Sequence, residues 1–144
     1  IFAPVAAHLC GGMEIKNLGP PLDPQHLVQL NIEKPRLSEK DRLVGTVVSF
    51  DGFGNCISNI DQTHLKDIDA VGSGRTLEIK IGNTSINGLS SSYADTEPKH
   101  PLAIMGSFGY LEIALNQGNA RRTLGISKGD PIILEYGQEM HGEE

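Results

Sequence analysis

Apolar and polar residues alternate with period two through several short stretches of the chain, and that spacing predicts strands. In residues 43–50, Leu43, Gly45, Val47 and Ser49 alternate with Val44, Thr46, Val48 and Phe50, the pattern of a buried or barrel strand. Residues 76–81 form a half-buried strand with Leu77, Ile79 and Ile81 inward, and Gly82-Asn83 behind it is a turn signal. The apolar runs 102–105 and 110–115 flank Gly106-Ser107-Phe108-Gly109 and read as a hairpin-like pair, and 131–136 reads as a final strand. Helical signals are few. Residues 2–10 predict a short helix with Pro4 in its first turn and Gly11 as its stop, and 119–124 a helical turn ended by Gly125. Gly72-Ser73-Gly74-Arg75 has no lysine and opens no helix, so it reads as a turn rather than a phosphate loop. Many strands at short spacing predict a mainly β fold, a small barrel or sandwich.

Proline divides the chain. Four of the eight prolines (Pro20, Pro21, Pro24 and Pro35) fall within 17–40, which therefore reads as a linker or extended connection. Before it, 1–16 carries a short helix whose apolar face (Phe2, Val5, Leu9) has little beside it to pack on. It reads as the end of a preceding domain, and the lack of an initiator Met is expected of a fragment or processed chain. The β domain is expected over 41–140, with a frayed acidic tail.

Composition narrows the function classes. With 38% hydrophobic residues, 5% aromatics and no Trp, the core must be aliphatic. A net charge of −6 argues against nucleic-acid binding, which needs a basic surface to release counterions from phosphate. Residues 1–12 lack the positive start and small-residue cleavage pattern of a signal peptide, and no run has the apolar length of a membrane span. The two cysteines, Cys10 and Cys56, make neither a disulfide framework nor a zinc spacing, so a reduced, cytoplasmic protein is the expectation. The five histidines are scattered, with no pair at metal-ligand spacing.

The densest candidate chemistry lies in 50–60, where Asp51, Asn55, Ser58 and Asn59 surround Gly52, Phe53 and Gly54. Glycines permit close approach to a ligand, and acid, amide and hydroxyl groups fix a small polar molecule. Asn55 and Asn59 have a competing reading as turn residues that satisfy their own backbone. Tyr93, in the polar loop 90–95, either covers a barrel end or offers a ring to a planar ligand. Gly106-Ser107-Phe108-Gly109 is a simple turn or a carboxylate-binding one. No nucleophile–base pair is defensible. On residues alone the chain is a small-molecule-binding β domain whose reaction is not legible.

Taken in order, several motifs resemble one family. Ile1-Phe2-Ala3-Pro4-Val5-Ala6-Ala7-His8-Leu9, Asp51-Gly52-Phe53-Gly54-Asn55 with Asn59-Ile60, Ser92-Tyr93-Ala94-Asp95, and Ser107-Phe108-Gly109-Tyr110-Leu111-Glu112-Ile113-Ala114 are similar to the S-adenosyl-L-methionine (SAM) hydroxide adenosyltransferases, the SAM hydrolases, kin to the SAM-dependent fluorinase and chlorinase. The resemblance implies an N-terminal α/β domain, a linker and a C-terminal β-barrel in a cytoplasmic homotrimer, with SAM held between one subunit's N-terminal domain and the next subunit's barrel. SAM is the substrate, no cofactor is implied, and the family's catalytic Asp, Arg and His are expected upstream of Ile1. No catalytic residue is therefore expected within the chain, which is expected to be inactive by itself. Carried across by motif, Asp51 would bind the methionine ammonium, Asn55 the adenine edge, and Ser107 the methionine carboxylate. Phe53 and Tyr93 would wall the adenine, and backbone groups near Leu115 and Gln117 would read its hydrogen-bonding edge. Phe108 and Leu115 stand where the halogenases carry arginines, which favours hydrolysis. The alternatives are a non-catalytic nucleoside-binding or oligomerisation module and a SAM-dependent halogenase.

Overall fold

The alternating stretches become strands of one sheet in the computed structural model, which describes residues 1–29, 31–38, 42–69 and 75–137. Among these residues eight strands run β1 (Arg36–Ser38), β2 (Arg42–Phe50), β3 (Cys56–Asp61), β4 (Leu77–Ile81), β5 (Thr84–Asn87), β6 (Pro101–Met105), β7 (Tyr110–Leu115) and β8 (Pro131–Tyr136). Their order is β5-β4-β8-β2-β3-β7-β6, with β1 paired to β2 at the side, and every strand pairing is antiparallel. A bridge from Ser90, just past β5, to Ile104 of β6, with the Ser90 N–H donating to Ala103 O at 2.8 Å, nearly closes the sheet into a barrel. The fold is mainly β with few helices, as the spacing predicts.

Side chains of period two fill the interior. Leu43 and Val47 of β2, Ile79 and Ile81 of β4, Leu111 and Ile113 of β7, and Ile132 and Leu134 of β8 are all at most 2% exposed. Each such side chain contributes roughly 1.5–3 kcal/mol on burial. The fully buried core is aliphatic, and Phe50 and Tyr136 only pack against it. Gly45 keeps a strand position because a Cβ there would stand 2.4 Å from Ile60 Cγ1 on the neighbouring strand. Outside the barrel, Glu135 of β8 pairs with Lys80 of β4 at 2.6 Å and with Arg42 of β2 at 2.7 Å.

The chain falls into two compact units, Ile1–Asn31 and Ile32–Glu144. The first holds α1 (Phe2–Cys10), followed by Gly11, and short 3₁₀ turns at Ile15–Asn17 and Pro24–His26. No residue of α1 is buried. In the second unit, α3 (Ala120–Leu124) is capped by the Asn119 side chain, which accepts from Arg122 N–H, and it ends at Gly125 with φ +67°.

Strands β1, β3 and β5 and the helix α2 (Gln62–Asp69) have no counterpart in the sequence reading. β3 is polar in sequence because its amide is consumed in the fold. Buried Asn59 accepts from Thr46 N–H at 2.8 Å and donates to Glu33 O at 2.6 Å. Asp61 caps α2 by accepting from the N–H groups of Thr63 and His64, and Leu65 and Ile68 bury its inner face. The turn read at 72–74, the start of the β domain at 41 and the tail at 138–144 lie outside the described residues.

Candidate functional site

Asp51 organises the turn between β2 and β3. Its Oδ1 accepts from the N–H groups of Phe53, Gly54 and Asn55 at 2.8–2.9 Å, and its Oδ2 accepts from Asn55 Nδ2 at 2.9 Å. Gly54 takes φ +91°, and Asn119 Nδ2 donates to Phe53 O, so the turn is tied to the start of α3. Most of the Asp51 acceptor capacity is therefore used inside the turn. Asn55 is buried and donates onward to the Tyr93 hydroxyl at 3.4 Å, while its Oδ1 makes no hydrogen bond among the described residues. Tyr93 opens a 3₁₀ turn, Tyr93–Asp95, that the Ser92 and Asp95 side chains hold by reciprocal capping.

A second turn, Gly106-Ser107-Phe108-Gly109, joins β6 to β7 and is closed by Gly109 N–H donating to Gly106 O at 2.9 Å. Past the far end of β7, Gln117 adopts φ +51°, and its carbonyl accepts from Lys99 Nζ. Its own N–H makes no hydrogen bond among the described residues. A non-glycine residue held in this region is a common mark of a functional loop.

These pieces converge. Asp51, Phe53, Asn55, Tyr93, Ser107, Phe108, Leu115 and Gln117 all line one cavity of about 830 Å³. That volume is ample for a small organic ligand. Ser58 and Asn59, singled out with them in sequence, do not line it. The cavity lies on the outer side of the sheet. Its floor is a row of cross-strand neighbours, Ile57 of β3, Glu112 of β7 and Ile104 of β6. The alternate residues Cys56, Ile113 and Ala103 point into the core. Phe53 and Phe108, 81% and 84% exposed, stand on the two turns that rim it.

Glu112 is the member the sequence reading missed as a site residue. It is 7% exposed, lies between Ile57 and Ile104, and has no hydrogen-bond or ion-pair partner among the described residues. Burial and then the nearby Asp51 charge push its carboxyl above the usual range. Tyr93 is pushed up by burial and then by Glu112 and Asp51, so the three acidic groups face a common space. The available signal was a lone acid in a run, residues 111–115, otherwise apolar on both faces. Gly106 makes room for it, since a Cβ there would fall 1.8 Å from Glu112 Oε1. Asn119 is also missed, and its capping role is visible only with α3 in place.

Cys56 lies at 0% exposure behind this floor, and burial followed by the Asp51 charge raises its thiol to about 11. The neutral thiol is a poor nucleophile. In the native chain a thiol reagent is expected to label exposed Cys10 quickly and Cys56 only on unfolding; mass spectrometry of the labelled peptides checks this, and native labelling of Cys56 contradicts it. Among the described residues no group of three or more His, Cys, Asp or Glu is placed to hold a metal ion, and no helix is long and apolar enough to cross a membrane.

Comparison with known proteins shows the family. Residues 45–133 match the family model of the SAM hydroxide adenosyltransferase C-terminal domain. The chain is 32% identical over 134 residues to an (R)-S-adenosyl-L-methionine hydrolase of Thermus thermophilus, covering 93% of this chain and 46% of that protein. It is 29% identical to the (R)-S-adenosyl-L-methionine hydrolase of Salinispora tropica over 95% of this chain and 49% of that one. A fluorinase of Nocardia brasiliensis is also 29% identical, over 92% of this chain and 45% of its own length. A crystal structure of a conserved protein from Thermotoga maritima superposes with a TM-score of 0.66 at 30% identity, covering 93% of this chain and 50% of that one. The chain thus spans about half the length of the relatives it matches. With the match running through the strands and turns that build the cavity, the chain belongs to the SAM hydroxide adenosyltransferase C-terminal domain family.

Proposed function

We propose that the chain is the SAM-binding C-terminal part of a SAM hydrolase that converts SAM and water into adenosine and L-methionine. The observation that carries this reading is the convergence on one cavity of the eight expected site residues, which come from four separate segments, 51–55, 93, 107–108 and 115–117. In the reaction the water oxygen bonds to ribose C5′ while the C5′–sulfur bond breaks. The electron pair leaves with sulfur as a neutral thioether, and the water's proton is released. The sulfonium charge fades along the way, so most of the rate comes from aligning water, C5′ and sulfur in a site cleared of competing solvent. The barrel's share is to hold both ends of the substrate.

In this reading the Asn55 Oδ1 and the free Gln117 N–H meet the adenine edge, the first accepting and the second donating. The Tyr93 ring stacks on the base with Phe53 beside it, and Ser107 meets the carboxylate at the open end near Phe108. Asp51 and Glu112 share the ammonium, Glu112 holding the larger part because Asp51 is engaged in its own turn. The exposed Phe53 and Phe108 rims fit a site completed by another subunit of a homotrimer, and the groups that activate water belong to the N-terminal domain. This chain by itself is then inactive.

Release of adenosine and methionine by the full-length protein tests the reading. A 5′-halogenated nucleoside formed in the presence of chloride or fluoride would instead identify a halogenase, and no turnover with intact SAM binding a non-catalytic module. In the full-length protein, Tyr93→Ala and Asn55→Ala are each expected to raise KM by about tenfold or more, since stacking on an aromatic ring contributes roughly 1–3 kcal/mol. Unchanged kinetics in both variants would remove them from the site.

A further inference from the structure

The charge lining the cavity goes further than the identity of the nucleoside. Among its fifteen lining residues are two carboxyls, Asp51 and Glu112, and no lysine, arginine or histidine. Glu112 is more than nine-tenths buried, unpartnered among the described residues and set in the cavity floor between two isoleucines. An anionic group entering at this turn meets like charge and finds only neutral donors, the Ser107 hydroxyl and the N–H groups of Ser107 and Phe108, since those of Gly106 and Gly109 are engaged within the hairpin. A cationic group finds an unmet acceptor.

Resting on the SAM-binding reading above, we infer that this cavity selects its ligand by positive charge and makes little use of a tail carboxylate, so that it accepts an amine-terminated nucleoside sulfonium lacking the carboxylate as readily as the amino-acid form. The ligand class is an adenine nucleoside whose 5′ position bears a sulfonium and, beyond it, a primary ammonium. Removing the carboxylate forfeits a charge-assisted hydrogen bond from a neutral donor, a loss of roughly ten- to hundredfold in affinity. It also removes the repulsion between that carboxylate and the two acids of the lining, Glu112 on the floor and Asp51 in its turn, an interaction of opposite sign and, within about 10 Å, comparable size. The two effects offset each other. A phosphate at the 5′ position has no such balance, because it brings more negative charge and no cation.

The experiment is a calorimetric titration of the full-length protein with four ligands: adenosine, adenosine monophosphate, SAM, and SAM lacking its carboxylate. We expect the decarboxylated ligand to bind within about fivefold of SAM, and the monophosphate to bind at least about tenfold more weakly than adenosine. Decarboxylated SAM binding more than about fivefold weaker than SAM, with adenosine binding intact, would overturn the inference, because a cation outside this lining would then be reading the carboxylate. The monophosphate binding as tightly as adenosine would overturn it equally. If adenosine and SAM both fail to bind, the nucleoside reading itself falls, and the inference with it.

Discussion

Replacing Glu112 by Gln in the full-length protein is expected to raise KM for SAM by about tenfold or more while leaving kcat nearly unchanged. A charge-assisted hydrogen bond contributes roughly 1.5–3 kcal/mol, and glutamine keeps the shape while removing the charge. The split between the two constants follows from which charge Glu112 meets. The ammonium keeps its charge from substrate to product, so its partner contributes equally in the ground and transition states and appears in KM. A carboxylate set against the sulfonium would lose its attraction as the bond breaks, and removing it would raise kcat. Steady-state kinetics decide between these, and a fall in kcat at constant KM would place Glu112 elsewhere.

The same variant has an opposite effect on stability. Burial and the Asp51 charge hold the Glu112 carboxyl above its ordinary 4.5, so the folded chain keeps this proton more tightly than the unfolded chain does. Its contribution is thus fully favourable in acid, below the unfolded value, and is lost as pH rises through the folded value. Above that folded value the native protein carries a poorly solvated carboxylate, and there Glu112→Gln should melt higher than the parent. The gain should shrink toward zero on acidification. A lower Tm above that value would mean that the carboxylate has a stabilising partner after all. Binding function and folding are here in conflict at one residue, as expected of a preorganised site.

Gly54→Ala is expected to be the most destabilising of the single-methyl changes in the site turns. Gly54 holds φ +91°, and an added Cβ would stand 2.1 Å from Asn119 Nδ2 and 2.3 Å from Asn119 Cγ. The left-handed backbone costs an alanine about 1–2 kcal/mol. Displacing Asn119 also removes the cap of α3 and its hydrogen bond to Phe53 O, a further loss of about 0.5–2 kcal/mol. Together they amount to about 1.5–4 kcal/mol, a Tm lowered by roughly 5–15 °C. Gly52→Ala is the control, because no atom lies within 4 Å of its added Cβ and its φ lies outside the left-handed range. A melt of Gly54→Ala indistinguishable from that of Gly52→Ala would show that α3 does not brace the turn.

Local structure was legible in the sequence wherever neighbouring residues determine it. Period-two alternation marked β2 and β4, and short apolar runs marked β6, β7 and β8. The glycine after 119–124 marked the end of α3, and the 106–109 turn joined its two strands as read. Family motifs then named the residues that line the cavity. Sequence left β3 unread because Ser58 and Asn59 look like loop chemistry until Thr46 and Glu33 are alongside to satisfy Asn59. It likewise did not show that Asp51 is largely occupied by its own turn, or that Glu112 is left without a partner. Those facts depend on strand order. Only when β7 lies between β3 and β6 do Ile57 and Ile104 flank Glu112 and deprive it of water. Periodicity and turn chemistry are written in adjacent residues. Burial, and the charge state it imposes, come from residues that meet only once the barrel has closed.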